Sequence, residues 1–409
     1  AKVARFAPFA GVSQDDLAQL RRDIGLLVGF GRALKEKRRA RGALELHSDE
    51  MRVQFSEGTA GSAVATSSVV GLSAKVQLEM MDIVAEFMIL ANEAVAERVY
   101  VAYPEAALLR RHPLPRNEAF EDLVRVATLR GYALDTSSNA GLAASLSAAM
   151  VGDGETLQLL RQLATAAMSE AVYFSTGSVA EDEFYHYGLA AAYYTHFTSP
   201  IRRYADVMVH RELLAAVGDG PVVPSLANRG VELLAAHLND RNRVAKAAQR
   251  DSVDLFRNLY FKLHGPVEAS GVAYSFFDNG FEVYVAEYGL RAPVYVSATE
   301  LAGGEHPWFA QFESSGSGYA VELDAGSLRV VARGGSDAEL ARIELFDRVR
   351  VSISGSDALA RVGGIAVSLV GADAGDRAGG ASERGQQADF RELLNADRRV
   401  ARVGGSGYA

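Results

Sequence analysis

Apolar residues recur at helical spacing along the first two thirds of the chain. Residues 15–40 predict an amphipathic helix that ends in a basic run. Its apolar positions are Leu17, Leu20, Ile24, Leu27 and Leu34. Residues 77–101 predict a second long helix, whose apolar face consists of Ile83, Phe87, Leu90, Ala94 and Val99. Short helical pieces are expected over 117–177, and a charged helix is expected from Val231 onward.

The pattern changes to short β-rich runs after Leu263. Five strands are predicted, at residues 271–277, 281–285, 292–296, 348–354 and 364–370, with a turn at Asp278-Asn279-Gly280 between the first two. Five short strands after a helical region favour a small β-barrel of the OB type. The Gly-, Ser- and Ala-rich stretch 303–340 is expected to be a loop insertion in this barrel, and residues 371–409 a disordered tail.

Composition excludes several kinds of chemistry. The 409 residues are 49% hydrophobic and 23% charged, which is typical of folded domains. The net charge of −9 excludes a uniformly basic nucleic-acid-binding surface but allows a local positive groove. There is no cysteine, so disulfides, thiolate nucleophiles and cysteine-based zinc sites are excluded. No run of about eighteen apolar residues occurs, so we expect no membrane association.

The most informative stretch is residues 186–211, HYGLAAAYYTHFTSPIRRYADVMVHR. Ser199 followed by Pro200 predicts a helix that begins at Pro200. Arg202 and Arg203 would then lie in the first turn, where the positive end of the helix dipole disfavours each cation by roughly 0.3–1 kcal/mol. An anion should compensate for this, and free helix amides with two guanidinium groups suit phosphate. Thr198 and His196 could add donors.

Local interactions offer an alternative explanation of the same residues. Arg202 or Arg203 can pair with Asp206 as an ordinary helix ion pair, and spacing alone leaves both hypotheses open. We expect His210 to be a hydrogen-bonded buried histidine rather than a base. The core positions expected in this helix are Tyr204, Met208 and Val209.

The segment YTHFTSPIRRYADVMVHR resembles the signature of the ribonuclease II and ribonuclease R (RNB) superfamily, and HFTSPIRRYAD resembles its eukaryotic, exosome-associated branch. Five further segments match in the expected order. They are KEKRRARGALEL at 35–46, EFMILANEAVAERV at 86–99, ALLRRHPLP at 107–115, AVYFSTG at 171–177 and AQRDSVDLF at 248–256.

The resemblance implies an α+β protein with three regions. Residues 1–262 would be the mostly helical C-terminal part of an RNB catalytic domain, residues 263–370 an OB-fold RNA-binding domain, and residues 371–409 the tail. The implied activity is 3′→5′ exoribonuclease hydrolysis of single-stranded RNA to nucleoside monophosphates with Mg²⁺, in RNA processing and decay. Exosome core subunits are candidate partners, and the implied location is the nucleus, the cytoplasm or both.

The resemblance also assigns roles to individual residues. Arg202 and Arg203 would contact phosphates near the scissile bond, with Ser199 and Thr198 lining the site. Glu86 would face the RNA channel, although a solvated helix face is the alternative. Further candidate RNA contacts are His196, Tyr204, Arg241, Gln249 and Arg250, of which Arg241 could equally be solvated surface. In the OB region, Phe276, Phe277, Phe281 and Tyr284 would supply barrel core and base-stacking platforms.

The aspartates that hold the metal in the superfamily lie upstream of every segment matched here. We therefore expect the chain as given to bind RNA weakly and to hydrolyse it poorly. Three hypotheses remain: part of an exoribonuclease, an RNA-binding module without catalysis, and a scaffold that does not contact RNA.

Overall fold

The protein is described by a computed structural model. It defines residues 13–44, 51–55, 69–74, 78–129, 131–148, 154–220, 227–277, 279–296, 319–323, 327–332, 339–355 and 364–372. These residues belong to two compact units. The first comprises the described residues up to Val267 with parts of 286–290 and 354–366, and the second comprises the remainder. Among the described residues, no helix is long and apolar enough to cross a membrane.

The first unit is mainly helical. Its described α-helices are α1 (Gln14–Ala40), α2 (Glu79–Ala102), α3 (Glu121–Leu129), α4 (Asn139–Ala148), α5 (Gly154–Ala167), α6 (Tyr204–Val217) and α7 (Asn228–His264). Two antiparallel strand pairs accompany them: β1 (Met51–Phe55) with β2 (Val69–Ala74), and β3 (Leu108–Arg111) with β4 (Val172–Ser175). The two long predicted helices are confirmed. The expectation of continuous short helices over 117–177 is wrong at β4, because its four residues pair with β3.

Helices α1 and α2 are joined by a ladder of ion pairs. The pairs are Arg32 with Glu79, Lys35 with Asp82 and Arg38 with Glu86. Gly31 is the buried residue of α1 and packs against Ile83 of α2. The prediction that the apolar face of α1 packs in the core is wrong. Leu20, Ile24 and Leu27 are all exposed, because α1 is covered by α2 only in its C-terminal half.

The face predicted for α2 is only partly correct. Ile83 and Val99 are buried, but Leu90 and Ala94 are exposed. Two polar residues, Glu86 and Asn92, take buried positions instead. Both have polar partners in other elements, and these partners offset the cost of burial.

The β3–β4 ribbon separates two clusters of buried side chains. On one face, Leu108 and Tyr173 pack with α6 and α7 through Ala205, Met208, Val209, Val231 and Ala235. On the other face, Leu109 and Phe174 pack with Ala96 and Val99 of α2 and with Phe184. Asn239 of α7 holds β4 by accepting from the Tyr173 N–H at 2.8 Å and donating to the Tyr173 carbonyl at 2.8 Å. The ribbon therefore fixes α2, α6 and α7 around one short sheet.

A five-stranded sheet follows α7. Its strands are β5 (Val267–Phe277), β6 (Gly280–Val285), β7 (Leu290–Tyr295), β11 (Arg348–Gly355) and β12 (Ile365–Ala372), in the order β12-β11-β5-β6-β7. All five predicted strands are confirmed. Phe277 pairs with Gly280 across the β5–β6 hairpin, while Asp278 of the predicted turn lies outside the described residues. Strands β12 and β7 are the edges of the described sheet and do not pair with each other. The described strands therefore form an open half-barrel, and the predicted closed barrel is not confirmed.

The predicted loop insertion contains strands. Within 303–340 the structure describes residues 319–323, 327–332 and 339–340, and these belong to β8 (Tyr319–Leu323), β9 (Ser327–Ala332) and β10 (Glu339–Glu344). The three strands form an antiparallel sheet in the order β10-β9-β8. These residues are therefore strands rather than loop, with Leu328 and Val330 of β9 fully buried. That the segment is an insertion into the barrel stays a prediction. Of the predicted tail, residues 373–409 lie outside the described residues.

The close contact between α1 and α2 gives a test of the fold. A Cβ at position 31 would lie 2.7 Å from the Ile83 Cγ2 atom, so Gly31→Ala should lower the free energy of unfolding by about 1–3 kcal/mol. Gly25→Ala is the matched control, because nothing lies within 4 Å of its Cβ position. It should be neutral or stabilising by up to about 1 kcal/mol. Denaturant unfolding measures both values, and equal effects would show that α1 does not pack on α2 at Gly31.

Candidate nucleic-acid interface

The loop from Tyr194 to Arg203 is held by hydrogen bonds from the elements α2, β3 and α6. Asn92 of α2 donates to the Tyr194 hydroxyl at 2.9 Å and accepts from the Phe197 N–H at 3.0 Å. Thr195 donates through Oγ1 to the Leu108 carbonyl in β3 at 2.7 Å. His210 of α6 bonds the Phe197 carbonyl through Nε2 at 2.8 Å and stacks on its ring, which confirms its interpretation as a hydrogen-bonded histidine. The loop is therefore fixed independently of any ligand.

Helix α6 begins at Tyr204, and the prediction of a helix from Pro200 is wrong. Arg203 is the residue before the helix and is extended, with φ −129° and ψ 117°. The Ser199 carbonyl accepts from the amides of Arg202 and Arg203, both at 3.2 Å, so Pro200 lies in a turn. Asp206 accounts for the difference. Its buried carboxylate accepts from the Ser199 N–H at 2.7 Å and from the Arg203 Nε at 2.7 Å, which holds both residues in the turn that precedes the helix.

The two arginines have different environments. Arg203 donates to Asp206 through Nε and Nη2, both at 2.7 Å, and is 20% exposed. The predicted ion pair with Asp206 is thus confirmed for Arg203. Arg202 is exposed, and no carboxylate in the described part of the chain pairs with it. Since Arg203 has five N–H donors and uses two on Asp206, it retains donors for a further acceptor.

His196 lies among positive charges and stays neutral. Burial, followed by the charges of Arg110, Arg203, His186 and Arg202, lowers the pKa of His196 to about 2. Burial also lowers the pKa of His186 to about 3. The Nδ1 atom of His196 lies 2.6 Å from the Tyr173 hydroxyl. Without a bound anion, His196 is therefore a neutral hydrogen-bonding group.

Apolar and aromatic surface surrounds Arg202. Ile201 is 95% exposed and Tyr204 is 54% exposed. The expectation that Tyr204 packs in the core is wrong, because it opens α6 and projects outward, while Met208 and Val209 are buried as predicted. Thr198 has a buried hydroxyl with no hydrogen-bond partner among the described residues. A cation flanked by exposed aromatic and apolar groups is typical of surfaces that bind single-stranded nucleic acid.

Glu86 is part of the α1–α2 contact. Its side chain is 4% exposed, and both carboxylate oxygens accept from the Arg38 Nε, at 3.2 and 3.0 Å. The alternative of a solvated helix face is wrong. The predicted contact with a ribose stays a prediction, and it would require this pair to open.

The predicted residues of α7 do not share one side of the helix. Arg241, Gln249 and Arg250 are all exposed, and no ion pair or hydrogen bond in the described residues joins them to the loop. Arg250 lies about three helical turns after Asn239, on the side that faces β4. Arg241 lies roughly opposite, and Arg243 beside it pairs with Asp240. Their roles in RNA binding stay predictions.

Three residues of the site were missed as candidates in the sequence. Arg110 is opposite Tyr173 in the β3–β4 pair, and its guanidinium carbon lies 4.7 Å from the Tyr173 ring centroid. Asn92 orients the loop from α2. Arg110 and Tyr173 do fall within matched segments, but the sequence carries no signal that two strands this short are paired.

The described residues do not fit a magnesium ion. No group of three or more His, Cys, Asp or Glu side chains converges among them. In the loop, the carboxylate of Asp206 is fully buried and already bonded to Ser199 and Arg203. Mg²⁺ requires several oxygen ligands, whereas this site is cationic. We therefore derive no step that passes through a metal.

An RNB domain matches residues 8–219, which is more than half of the chain. The chain therefore belongs to the RNB-domain family. It is 40% identical to the probable exosome complex exonuclease RRP44 of Caenorhabditis elegans over 281 residues, which cover 68% of this chain and 28% of that protein. It is 35% identical to the exosome complex exonuclease dis3 of Schizosaccharomyces pombe over 347 residues, which cover 83% of this chain and 33% of that protein. The chain thus spans a third or less of these relatives.

Solved structures show the same fold at low identity. Mycoplasma genitalium RNase R in complex with ribose methylated single-stranded RNA matches with a TM-score of 0.66 and 17% identity, covering 88% of this chain and 51% of that one. Yeast Ssd1, described as a pseudonuclease, matches with a TM-score of 0.57 and 17% identity, covering 73% of this chain and 45% of that one. These matches concern the fold alone.

Asp206→Asn tests whether the buried carboxylate organises the loop. The substitution leaves Arg203 without its anion, so the free energy of unfolding should fall by about 3–5 kcal/mol. Asp122→Asn is the control, because Asp122 forms an exposed pair of the same spacing with Arg125, and it should change stability by less than about 1 kcal/mol. Denaturant unfolding measures both, and a loss at Asp206 no larger than at Asp122 would contradict this role.

The pH dependence of stability tests the burial of the Glu212 carboxyl. Burial raises the pKa of this carboxyl from 4.5 to about 8, although the Leu108 N–H bond lowers it. The folded state therefore holds the proton more tightly than the unfolded state. This contribution to stability is complete below pH 4.5 and is lost as the pH rises through about 8.

Glu212→Gln keeps a side-chain oxygen that can accept from the Leu108 N–H, and it removes the carboxyl that titrates. The unfolding free energy of the variant minus that of the wild type should therefore increase steadily between pH 5 and pH 8. Urea unfolding at several pH values measures this difference. A difference independent of pH would show that Glu212 does not hold its proton in the folded state.

Proposed function

We propose that this chain is part of a 3′→5′ exoribonuclease that acts on single-stranded RNA and releases nucleoside monophosphates in RNA processing and decay. Membership of the RNB family and the similarity to proteins named exosome exonucleases support the proposal. The observation that carries it is the rigid loop on which Asp206 binds Arg203 while Arg202 remains exposed. An exposed guanidinium on a fixed loop suits a phosphate of the RNA backbone.

The residues of the loop divide into anchors and contacts. Arg202 binds a phosphate directly, while Arg203 stays on Asp206 and uses its remaining donors. The hydroxyl of Thr198, which has no partner among the described residues, accepts or donates one further bond. Ser199 shapes the turn, and the exposed ring of Tyr204 stacks on a base. Positive charge next to the scissile phosphate would stabilise the charge that develops there during hydrolysis.

We also propose that the five-stranded sheet is part of an OB-type RNA-binding domain over residues 263–370, after an RNB region at 1–262. Phe281 and Tyr284 are buried and belong to its core. Phe276 and Phe277 are half-buried, so they are the candidates for base stacking. Mg²⁺ would be held by residues other than those that the structure describes, exosome core subunits are candidate partners, and the nucleus and the cytoplasm are candidate locations.

The second candidate is a module that binds RNA without hydrolysing it. The isolated chain should behave in this way if its metal ligands lie elsewhere. Incubation of the chain with Mg²⁺ and end-labelled single-stranded RNA tests whether the chain is active by itself. Release of labelled nucleoside monophosphates would contradict the module and support an enzyme that is active as it stands. Bound but intact RNA is expected both of the module and of a part of an enzyme whose metal ligands lie elsewhere.

Arg202→Met tests the proposed phosphate contact. Loss of one charge-assisted bond should weaken binding of single-stranded oligoadenylate by roughly ten- to hundred-fold. It should also reduce the slope of log affinity against log salt by about 0.7. Fluorescence anisotropy at several salt concentrations measures both quantities.

Arg229→Met is the control for net charge. Arg229 is 75% exposed and pairs with Glu232 on α7, so its loss should change affinity little. Equal affinities and equal salt slopes for the Arg202 variant, the Arg229 variant and the wild type would contradict the proposal.

A further inference from the structure

Arg110 lies beside the loop in an unusual electrostatic position. Its guanidinium lies over the Tyr173 ring, and its side chain is half-buried. Burial lowers the pKa of Arg110, and the nearby charge of Arg203 lowers it further. No salt bridge joins Arg110 to any carboxylate in the ranges that the structure defines. The side chain therefore bears a desolvation cost that a cation–π contact offsets only in part.

The positive charges that act on His196 outnumber the carboxylates that pair with them among the described residues. Arg110, Arg203 and Arg202 all act on this histidine. Asp206 neutralises Arg203, and the other two guanidinium groups have no ion pair among the described residues. His196 and His186 are neutral, so they add no charge to the cluster. Arg110 and Arg202 thus act on the same histidine without a carboxylate to balance them among the described residues, which favours an anion there.

Hydrogen bonds fix the geometry of this cluster. The Arg110 guanidinium carbon lies 4.7 Å from the Tyr173 ring centroid, and the Tyr173 hydroxyl lies 2.6 Å from the Nδ1 atom of His196. If the hydroxyl donates to Nδ1, the proton of neutral His196 resides on Nε2. Tyr173 is held in turn by the two backbone bonds to Asn239.

We infer that Arg110 binds a phosphate group of single-stranded RNA next to the one bound by Arg202, and that Tyr173 is the residue that positions both Arg110 and the Nε2–H donor of His196. This inference rests on the proposed function. It adds a second phosphate contact, contributed by β3 rather than by the loop.

Arg110→Met tests the contact while keeping an apolar group over the Tyr173 ring. It should weaken binding of fluorescein-labelled single-stranded oligoadenylate by roughly ten-fold or more and lower the salt slope by about 0.7. Arg125→Met, which removes an arginine paired with Asp122 on α3, is the control and should leave both unchanged. If the Arg202 variant loses affinity and the Arg110 variant does not, the inference is overturned and the proposed function stands. If neither variant loses affinity, both are overturned.

Two measurements keep the test valid if the Arg110 variant folds poorly. In the wild-type protein, the Nε–H resonance of Arg110 should shift on addition of the same RNA, and an unchanged resonance would overturn the inference. Tyr173→Phe keeps the ring and removes the hydroxyl, so ¹⁵N spectra should show His196 moving from the single Nε2–H tautomer to a mixture. An unchanged tautomer would show that Tyr173 does not position His196.

Discussion

The fully buried carboxylate of Asp206 is the interaction on which the candidate site depends. It accepts the Ser199 amide and two bonds from Arg203, so one side chain sets both the turn before α6 and the place of an arginine. A buried carboxylate is costly unless it is paired and hydrogen-bonded, and here it is both. The consequence is asymmetry between neighbouring arginines. Arg203 belongs to the fold, and Arg202 is left to solvent and to ligands.

Positive charge is concentrated next to the loop, although the protein as a whole is acidic. The chain carries a net charge of −9, yet three arginines gather around His196. Burial keeps His196 and His186 neutral, so the charge comes from guanidinium groups that do not titrate near neutral pH. A fixed positive site in an acidic protein favours the approach of an anion to that site.

The sequence predicted those parts of the molecule that depend on local pattern. Alternating residues located all five strands of the sheet, and helical periodicity located α1, α2 and α7. The spacing predicted an ion pair of Asp206 with either Arg202 or Arg203, and the structure shows it for Arg203. The start of α6 was missed, because Arg203 is extended while Asp206 bonds both its side chain and the Ser199 N–H, and the Ser-Pro pattern carries no signal of these bonds. Arg110 and Tyr173 were missed as partners, because strands of four residues separated by several helices leave no periodic trace. The ion pair of Glu86 was not foreseen, because its partner Arg38 lies on another helix.

A crystal structure of the chain with single-stranded oligoadenylate tests the central claim most directly. The account predicts an RNA phosphate within hydrogen-bonding distance of the Arg202 guanidinium, with Arg203 still bonded through Nε and Nη2 to Asp206. RNA bound away from the Tyr194–Arg203 loop, or bound to Arg203 only after its pair with Asp206 has broken, would contradict the account.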